Sequence, residues 1–302
     1  MPVALQDVRA RSSARRRGRR PVGYAPDMAD RTDDVTMTFG GTATMLLRIG
    51  AFTLLTDPNF LHRGQRAHLG YGLRAKRLTE PALQPTQLPA LDGILLSHMH
   101  GDHWDRIATR SLPKGTPVVT TPEAATCLAD RGFTATADLQ AWQTHEFTRG
   151  TATLRITAVP GVHGPGPLAR VLPQVMGSVV ELIPGGDSGS EAGPGVTWRG
   201  YISGDTLFRP YLGEVLERTG PLDVLIPHLG GTRALGVTVT MDARQGADLV
   251  ELLKPPVTVP VHYDDYDRFR SPLGDFVTEV RQRRLPGELR VAVRGETVSL
   301  RA

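Results

Sequence analysis

The chain has 302 residues, of which 40% are hydrophobic and 22% charged, with one cysteine and a formal net charge of +4. That length and balance suit one large or two small globular domains, and they exclude collagenous, mainly disordered and disulfide-stapled chains. The excess charge is local: residues 1–20 hold seven arginines and one acid, whereas the rest of the chain carries 28 basic and 30 acidic side chains.

The arginine block has no apolar periodicity, and residues 1–34 read as a disordered tail. Its pairs Arg16-Arg17 and Arg19-Arg20 invite comparison with a twin-arginine export signal, which needs an apolar stretch of about 7–15 residues next. Asp27, Asp30, Asp33 and Asp34 stand there instead, so export is rejected. A start at Met28 or Met37 would remove most of the tail. Residues 35–302 show no linker and read as a single domain. Short strands come first: Val35–Phe39, Thr44–Ile49 and Phe52–Thr56, joined by glycine turns as antiparallel hairpins. Residues 58–90 read as loop. The apolar run Ile94-Leu95-Leu96 reads as a buried strand. A helix near Asp105–Ser111, a strand at Val118–Thr120 and a helix from Pro122, capped by Thr121, follow. Thr153–Val159, Val175–Ile183, Trp198–Ser203, Asp223–Ile226 and Val257–Val261 read as strands. Residues 184–195 are turn-formers and read as a flexible surface loop. Asp242–Leu253 and residues 273–284 read as helices, and two short strands finish the chain. No internal repeat is present, and the alternation suggests two sheets packed face to face with helices outside.

No stretch reaches the roughly 18 apolar residues of a membrane span. Cys127 stands alone on the second helix, so no internal disulfide can form, which fits a cytoplasmic setting; it reads as a small buried thiol.

The chemistry concentrates at the end of the buried strand. His98, His100, Asp102 and His103 place four metal-capable side chains within six residues. Histidines two apart point the same way only in extended chain, giving two nitrogens for one ion. A turn at Gly101, a residue without a Cβ to clash, then sends Asp102 and His103 towards a second ion. His163, Asp205 and His262 each follow an apolar strand, where a rigid sheet can hold them at a common rim. Five histidines and two carboxylates suit two divalent ions, Zn²⁺ first, with Mn²⁺ or Fe also accommodated.

With Thr56-Asp57-Pro58, His98-x-His100-x-Asp102-His103, His163, Ser203-Gly204-Asp205-Thr206 and His262 in this order, the chain resembles the metallo-β-lactamase-fold hydrolases over about residues 35–265. Phe39-Gly40-Gly41-Thr42-Ala43-Thr44 and Leu54-Leu55-Thr56-Asp57-Pro58 are similar to the branch of ascorbate-6-phosphate lactonases and N-acyl-phosphatidylethanolamine phospholipase D. The resemblance implies an α/β, four-layer αββα sandwich of two mixed sheets. It implies that His98, His100 and His163 hold one metal, that Asp102, His103 and His262 hold the second, and that Asp205 bridges them. Antibiotic-hydrolysing relatives of the two-zinc type commonly carry Cys where Asp205 stands, which argues against β-lactam hydrolysis.

Two such ions can share a hydroxide and lower the pKa of water from about 15.7 towards 7. The expected activity is hydrolysis of a phosphodiester or lactone in an anionic small molecule or lipid. Asp102 would orient the nucleophile or pass a proton to the leaving group. Asp57 reads either as a residue orienting a ligand histidine or as the start of an Asp-Pro turn. His228 reads as a catalytic substrate contact or proton donor, or as a satisfied loop histidine. Tyr263 and Asp264 either line the pocket or do not. His62 and His68 sit among Arg63, Arg66, Arg74, Lys76 and Arg77, either a cover that meets an anionic substrate or a solvated face. A nuclease of the same superfamily and a metal-bound regulatory protein without turnover are the alternatives. The folded part's negative charge disfavours stable nucleic-acid binding, and oligomeric state is not readable.

Overall fold

Period-two burial sets the opening strands. Val35, Met37 and Phe39 are buried while Thr36 and Thr38 are half-buried in strand Val35–Gly41, the pattern of a sheet with one face in the core. Glycine turns fold Thr44–Ile49 and Phe52–Thr56 back as antiparallel neighbours. The computed structural model describes residues 34–70, 72–185, 195–234 and 236–302, which fall in one compact unit. Nearly all of the expected tail, and residues 186–194 of the expected loop at 184–195, lie outside the described residues.

Each sheet has an antiparallel half and a parallel half. In the first sheet, Gly93–Leu95, Val118–Thr120 and Thr136–Asp138 continue in parallel from Phe52–Thr56, and Thr297–Ser299 closes the other edge. In the second, Thr144–Arg149, Ala152–Pro160, Met176–Ile183 and Trp198–Ile202 are antiparallel. Val224–Ile226, Val257–Thr258 and Glu288–Leu289 then follow in parallel. Met37, Leu47 and Leu54 of the first sheet share one core with Ile156, Val180 and Trp198 of the second. Each such fully buried side chain contributes roughly 1.5–3 kcal/mol.

Helices cover both outer faces. Helices α1 (Arg106–Ser111) and α2 (Pro122–Ala129) pack on the first sheet through Ala108, Ala124 and Leu128. Helices α3 (Glu214–Thr219), α4 (Ala243–Leu253) and α5 (Leu273–Gln282) pack on the second through Val215, Leu249, Val250 and Phe276. The result is the expected four-layer α/β sandwich. Asp105, Thr121 and Asp242 cap α1, α2 and α4 through their side-chain oxygens, satisfying backbone N–H groups that the first turn leaves free.

Several local expectations change. Residues 58–90 are not all loop: Arg66–His68 and Arg74–Lys76 form a small hairpin, too short for periodicity to reveal. Arg77 belongs to no solvated face, because its side chain is fully buried and its Nη1 donates to the Asn59 carbonyl oxygen. Thr136–Asp138, Thr144–Arg149 and α3 were not expected; the two strands are polar edge strands, with Phe147 turned into the core. Val257–Val261 narrows to Val257–Thr258, with Pro260 unable to donate, although the Val259 and Val261 N–H groups still donate to Leu225 and Pro227. Cys127 is half-buried rather than buried.

Parallel strands end on one edge of their sheet. Leu95, Ile202, Ile226 and Thr258 therefore deliver the segments bearing His98, Asp205, His228 and His262 to one rim, and Ala152–Pro160 ends just before His163.

Candidate metal centre

Two segments, the His98–His103 stretch and the loop after Ala152–Pro160, bring three ring nitrogens together. His98 Nε2 lies 3.1 Å from His100 Nδ1, and His163 Nε2 lies 3.3 Å from the same atom. These three residues form one group able to hold an ion. A second such group is Asp102, His103 and His262: His103 Nε2 and His262 Nε2 are 3.2 Å apart, and Asp102 Oδ2 is 3.5 Å from His262 Nε2. Asp205 Oδ2 lies 3.3 Å from His103 Nε2 and 3.5 Å from His262 Nε2. Asp205 also groups with His98 and His103, its donor atom within 4.8 Å of both. All seven residues named from the sequence thus meet at one buried place.

Four of the five histidines, all but His100, have their outward-facing nitrogen occupied. Ser97 Oγ is 3.0 Å from His98 Nδ1, and Asp57 Oδ2 is 3.1 Å from His103 Nδ1. The carbonyl oxygens of Val239 and Leu229 accept from His163 Nδ1 and His262 Nδ1 at 2.9 and 3.0 Å. Such partners fix ring orientation and leave the inner nitrogens as lone-pair donors. His262 itself sits in left-handed backbone, φ 61°, a strained place for a residue with a Cβ. Its N–H donates to the Thr42 carbonyl at 2.7 Å, which helps hold it there.

The expected turn at Gly101 is present, with the His103 and Trp104 N–H groups donating to the His100 carbonyl at 3.0 and 2.7 Å, and the missing Cβ matters there for a further reason. Its φ is not in the left-handed region; instead, a Cβ there would lie 2.5 Å from the His68 nitrogen and 2.7 Å from its oxygen. The hairpin backbone packs directly on the motif, and the Gly101 N–H donates to the His68 carbonyl at 2.8 Å.

Burial and neighbours split the histidines. Burial, aided by the surrounding imidazoles, pushes His98 well below the ordinary range and His100 down to about 3. Burial also lowers His163. At His103 burial again opposes charge, but Asp205, Asp57 and Asp102 outweigh it and hold the group well above its ordinary value. His262 is raised against burial by Asp205 and Asp102. Burial would raise Asp205, yet His262 and His103 hold it well below the usual carboxylate range. The donor set fits divalent ions: converging imidazole nitrogens and carboxylates with no thiolate are the chemistry of Zn²⁺, Mn²⁺ or Fe²⁺. Two bare nitrogens 3.2 Å apart need a shared cation or proton between them.

His228 is fully buried, its Nδ1 3.2 Å from Asp205 Oδ1. Asp57 stands behind His103, the position expected of an orienting residue, and also accepts from the Ser97 N–H at 2.7 Å. Tyr263 is in the core, its hydroxyl donating to the Ala292 carbonyl, so it does not line the centre. Asp264 is exposed. Sequence reasoning missed Ser97, whose hydroxyl touches Asp57, His98 and His103, and Thr240, whose hydroxyl donates to Asp205 at 3.0 Å. Adjacency to His98 was the only signal for Ser97, and nothing marked Thr240.

The family model described as a β-lactamase superfamily domain matches residues 53–263. The chain is 28% identical over 251 residues to a UPF0173 metal-dependent hydrolase of Thermococcus kodakarensis, covering 80% of this chain and 93% of the relative. It is 28% identical over 269 residues to a metal-dependent hydrolase of Carboxydothermus hydrogenoformans, covering 87% and 99%. Among solved structures it is similar to one described as a possible metal-dependent hydrolase from Veillonella parvula, at a TM-score of 0.71 and 21% identity, covering 88% and 99%.

Proposed function

The chain belongs to the β-lactamase superfamily and is a metal-dependent hydrolase; from that premise we propose that it uses two divalent ions to cleave a phosphodiester or lactone in an anionic small molecule or lipid. The observation that carries the two-ion reading is the convergence of two donor groups with Asp205 reaching both. Bound there, the ions would act as Lewis acids and lower the pKa of water towards about 7. His98 Nε2, His100 Nδ1 and His163 Nε2 would hold one ion. Asp102, His103 Nε2 and His262 Nε2 would hold the other, with Asp205 between them.

The remaining roles fall to groups already positioned. Asp102 Oδ1 is buried without a partner among the described residues, so it is free to take a proton and pass it to a leaving group. Asp57 and Ser97 keep His103 in register. His228 holds Asp205 through Nδ1, and its Nε2 has no partner among the described residues, which suits positioning first and proton donation second. The Phe39–Thr44 and Leu54–Pro58 resemblance supports the phosphodiester or lactone class, and Asp at 205 rather than Cys speaks against β-lactams. No helix among the described residues is long and apolar enough to cross a membrane.

The test is a screen of the full chain, loaded with Zn²⁺ or Mn²⁺, against bis-p-nitrophenyl phosphate and simple lactones. Hydrolysis of at least one is expected, with loss on metal stripping and in His100→Ala. Silence of fully loaded protein on both would sink the substrate class. Failure to take up any metal would sink the whole reading.

A further inference from the structure

A cavity of about 510 Å³ opens beside the centre, with His100 and Gly101 in its wall. Its polar lining is cationic: Arg66 from the hairpin, Arg106 and Arg110 from α1, and Arg131 after α2. All four are exposed. Among the described residues none of them pairs with an acid, and Arg131 reaches only the Met99 sulfur. The acid in the lining, Asp105, is spent: Oδ1 accepts from the Ile107 and Ala108 N–H groups and Oδ2 from that of Phe60.

The arrangement is costly without a ligand. Arg106 and Arg110 are four apart on one helix, where like charges repel. On the hairpin, Arg66 stands directly opposite Lys76, a like-charge cross-strand pair that also disfavours the fold. The alternate residues Ala67 and Ala75 are buried, so the cations share the exposed face. His100 adds a separate sign: its Nε2 is buried with no partner among the described residues, while Nδ1 faces His98 and His163. With Nδ1 given to an ion, Nε2 carries a hydrogen and is a donor.

We propose that this basin is an anion subsite that holds a phosphate group of the substrate beside His100, through Arg66, Arg106, Arg110 and Arg131. Guanidinium forks match phosphate oxygens in pairs, and the hairpin backbone seated on Gly101 ties the basin to the ligand loop. The biological meaning rests on the hydrolase reading above; the binding itself does not. The phosphate belongs to a soluble ester or to a lipid headgroup, and the two sources are separable.

The metal-loaded full chain would be titrated calorimetrically with inorganic phosphate and glycerol phosphate, and sedimented with phosphatidylcholine vesicles with and without phosphatidic acid. The variants are R106Q/R110Q, R131Q alone in case the double variant folds poorly, and R218Q on α3 as a remote control. Phosphate binding should weaken about tenfold or more in R106Q/R110Q, less in R131Q, and not in R218Q, with metal content unchanged throughout. Glycerol phosphate binding that follows this pattern assigns a soluble source, and phosphatidic-acid binding that follows it assigns a lipid; either supports the subsite. Phosphate binding that is absent in the native chain, or equal in R106Q/R110Q and native protein, overturns it. No turnover by the native, metal-loaded chain, with arginine-dependent phosphate binding intact, would sink the substrate class proposed above and leave the subsite standing.

Discussion

The two halves of the centre use one side chain for opposite electrostatics. His98, His100 and His163 sit among other imidazoles, and burial drives them to the neutral form. His103 and His262 are as deeply buried, yet carboxylates on their inner side favour the protonated form. Depth alone does not set the charge of a buried histidine; the nearest counter-charge does. The supports differ in the same way. The first half leans on a hydroxyl and a carbonyl, from Ser97 and Val239, while the second has the Asp57 carboxylate behind His103.

Removing the residue common to both halves should have the largest effect. Asp205→Ala is expected to reduce hydrolysis to background and, in metal-free protein, to leave His103 and His262 without their main counter-charge. Breaking a buried pair in this way costs about 3–5 kcal/mol, readable as a lower denaturation midpoint. Unchanged stability would mean that the second half is not held by Asp205. Asp57→Asn acts directly on His103 and reaches the other half only through the Ser97 hydroxyl beside His98. It should weaken metal binding at the His103 half by about 10–100-fold and the other half much less, as measured by competition with a chromophoric chelator. Equal weakening of two sites would erase the distinction.

The distinction between the halves also has a pH signature in metal-stripped protein. His98, His100 and His163 are lowered when folded, so the unfolded chain binds more protons and stability falls as pH drops below about 6.5. His103 and His262 are raised, so their contribution is complete below about 6.5 and is lost as pH climbs through their folded values. A melting-temperature scan should therefore show a maximum near neutrality, with the alkaline limb flattened when metal is restored. A stability that only rises with pH would contradict the charged half. The smallest effect belongs to Ser97→Ala, which removes contacts to both halves and should cost about 0.5–1.5 kcal/mol.

The candidate ligands were legible because their chemistry is rare and dense. Four metal-capable residues in six positions need no fold to be noticed, and His163, Asp205 and His262 were found from the apolar strands before them. The strands and helices that bury one face were legible from period. Edge strands such as Thr144–Arg149 were not: His145 and Phe147 are half-buried between exposed neighbours, but Phe147 is the one apolar residue of the six, too little to show a period in the sequence. Arg77 looked like one more loop cation, since only the fold brings Asn59 to it. Ser97 and Thr240 escaped because hydroxyls are common and their value lies in which carboxylate they meet. Gly101 was legible as a turn, but the approaching His68 backbone, 33 residues away in sequence, could not be seen from the motif.

The most direct measurement is metal stoichiometry by elemental mass analysis of the full chain, native and as His100→Ala and His262→Ala. Two equivalents are expected in the native protein, with each variant losing one while keeping the other. A single equivalent in native protein, or variants that both retain two, would contradict a centre built of two distinct halves.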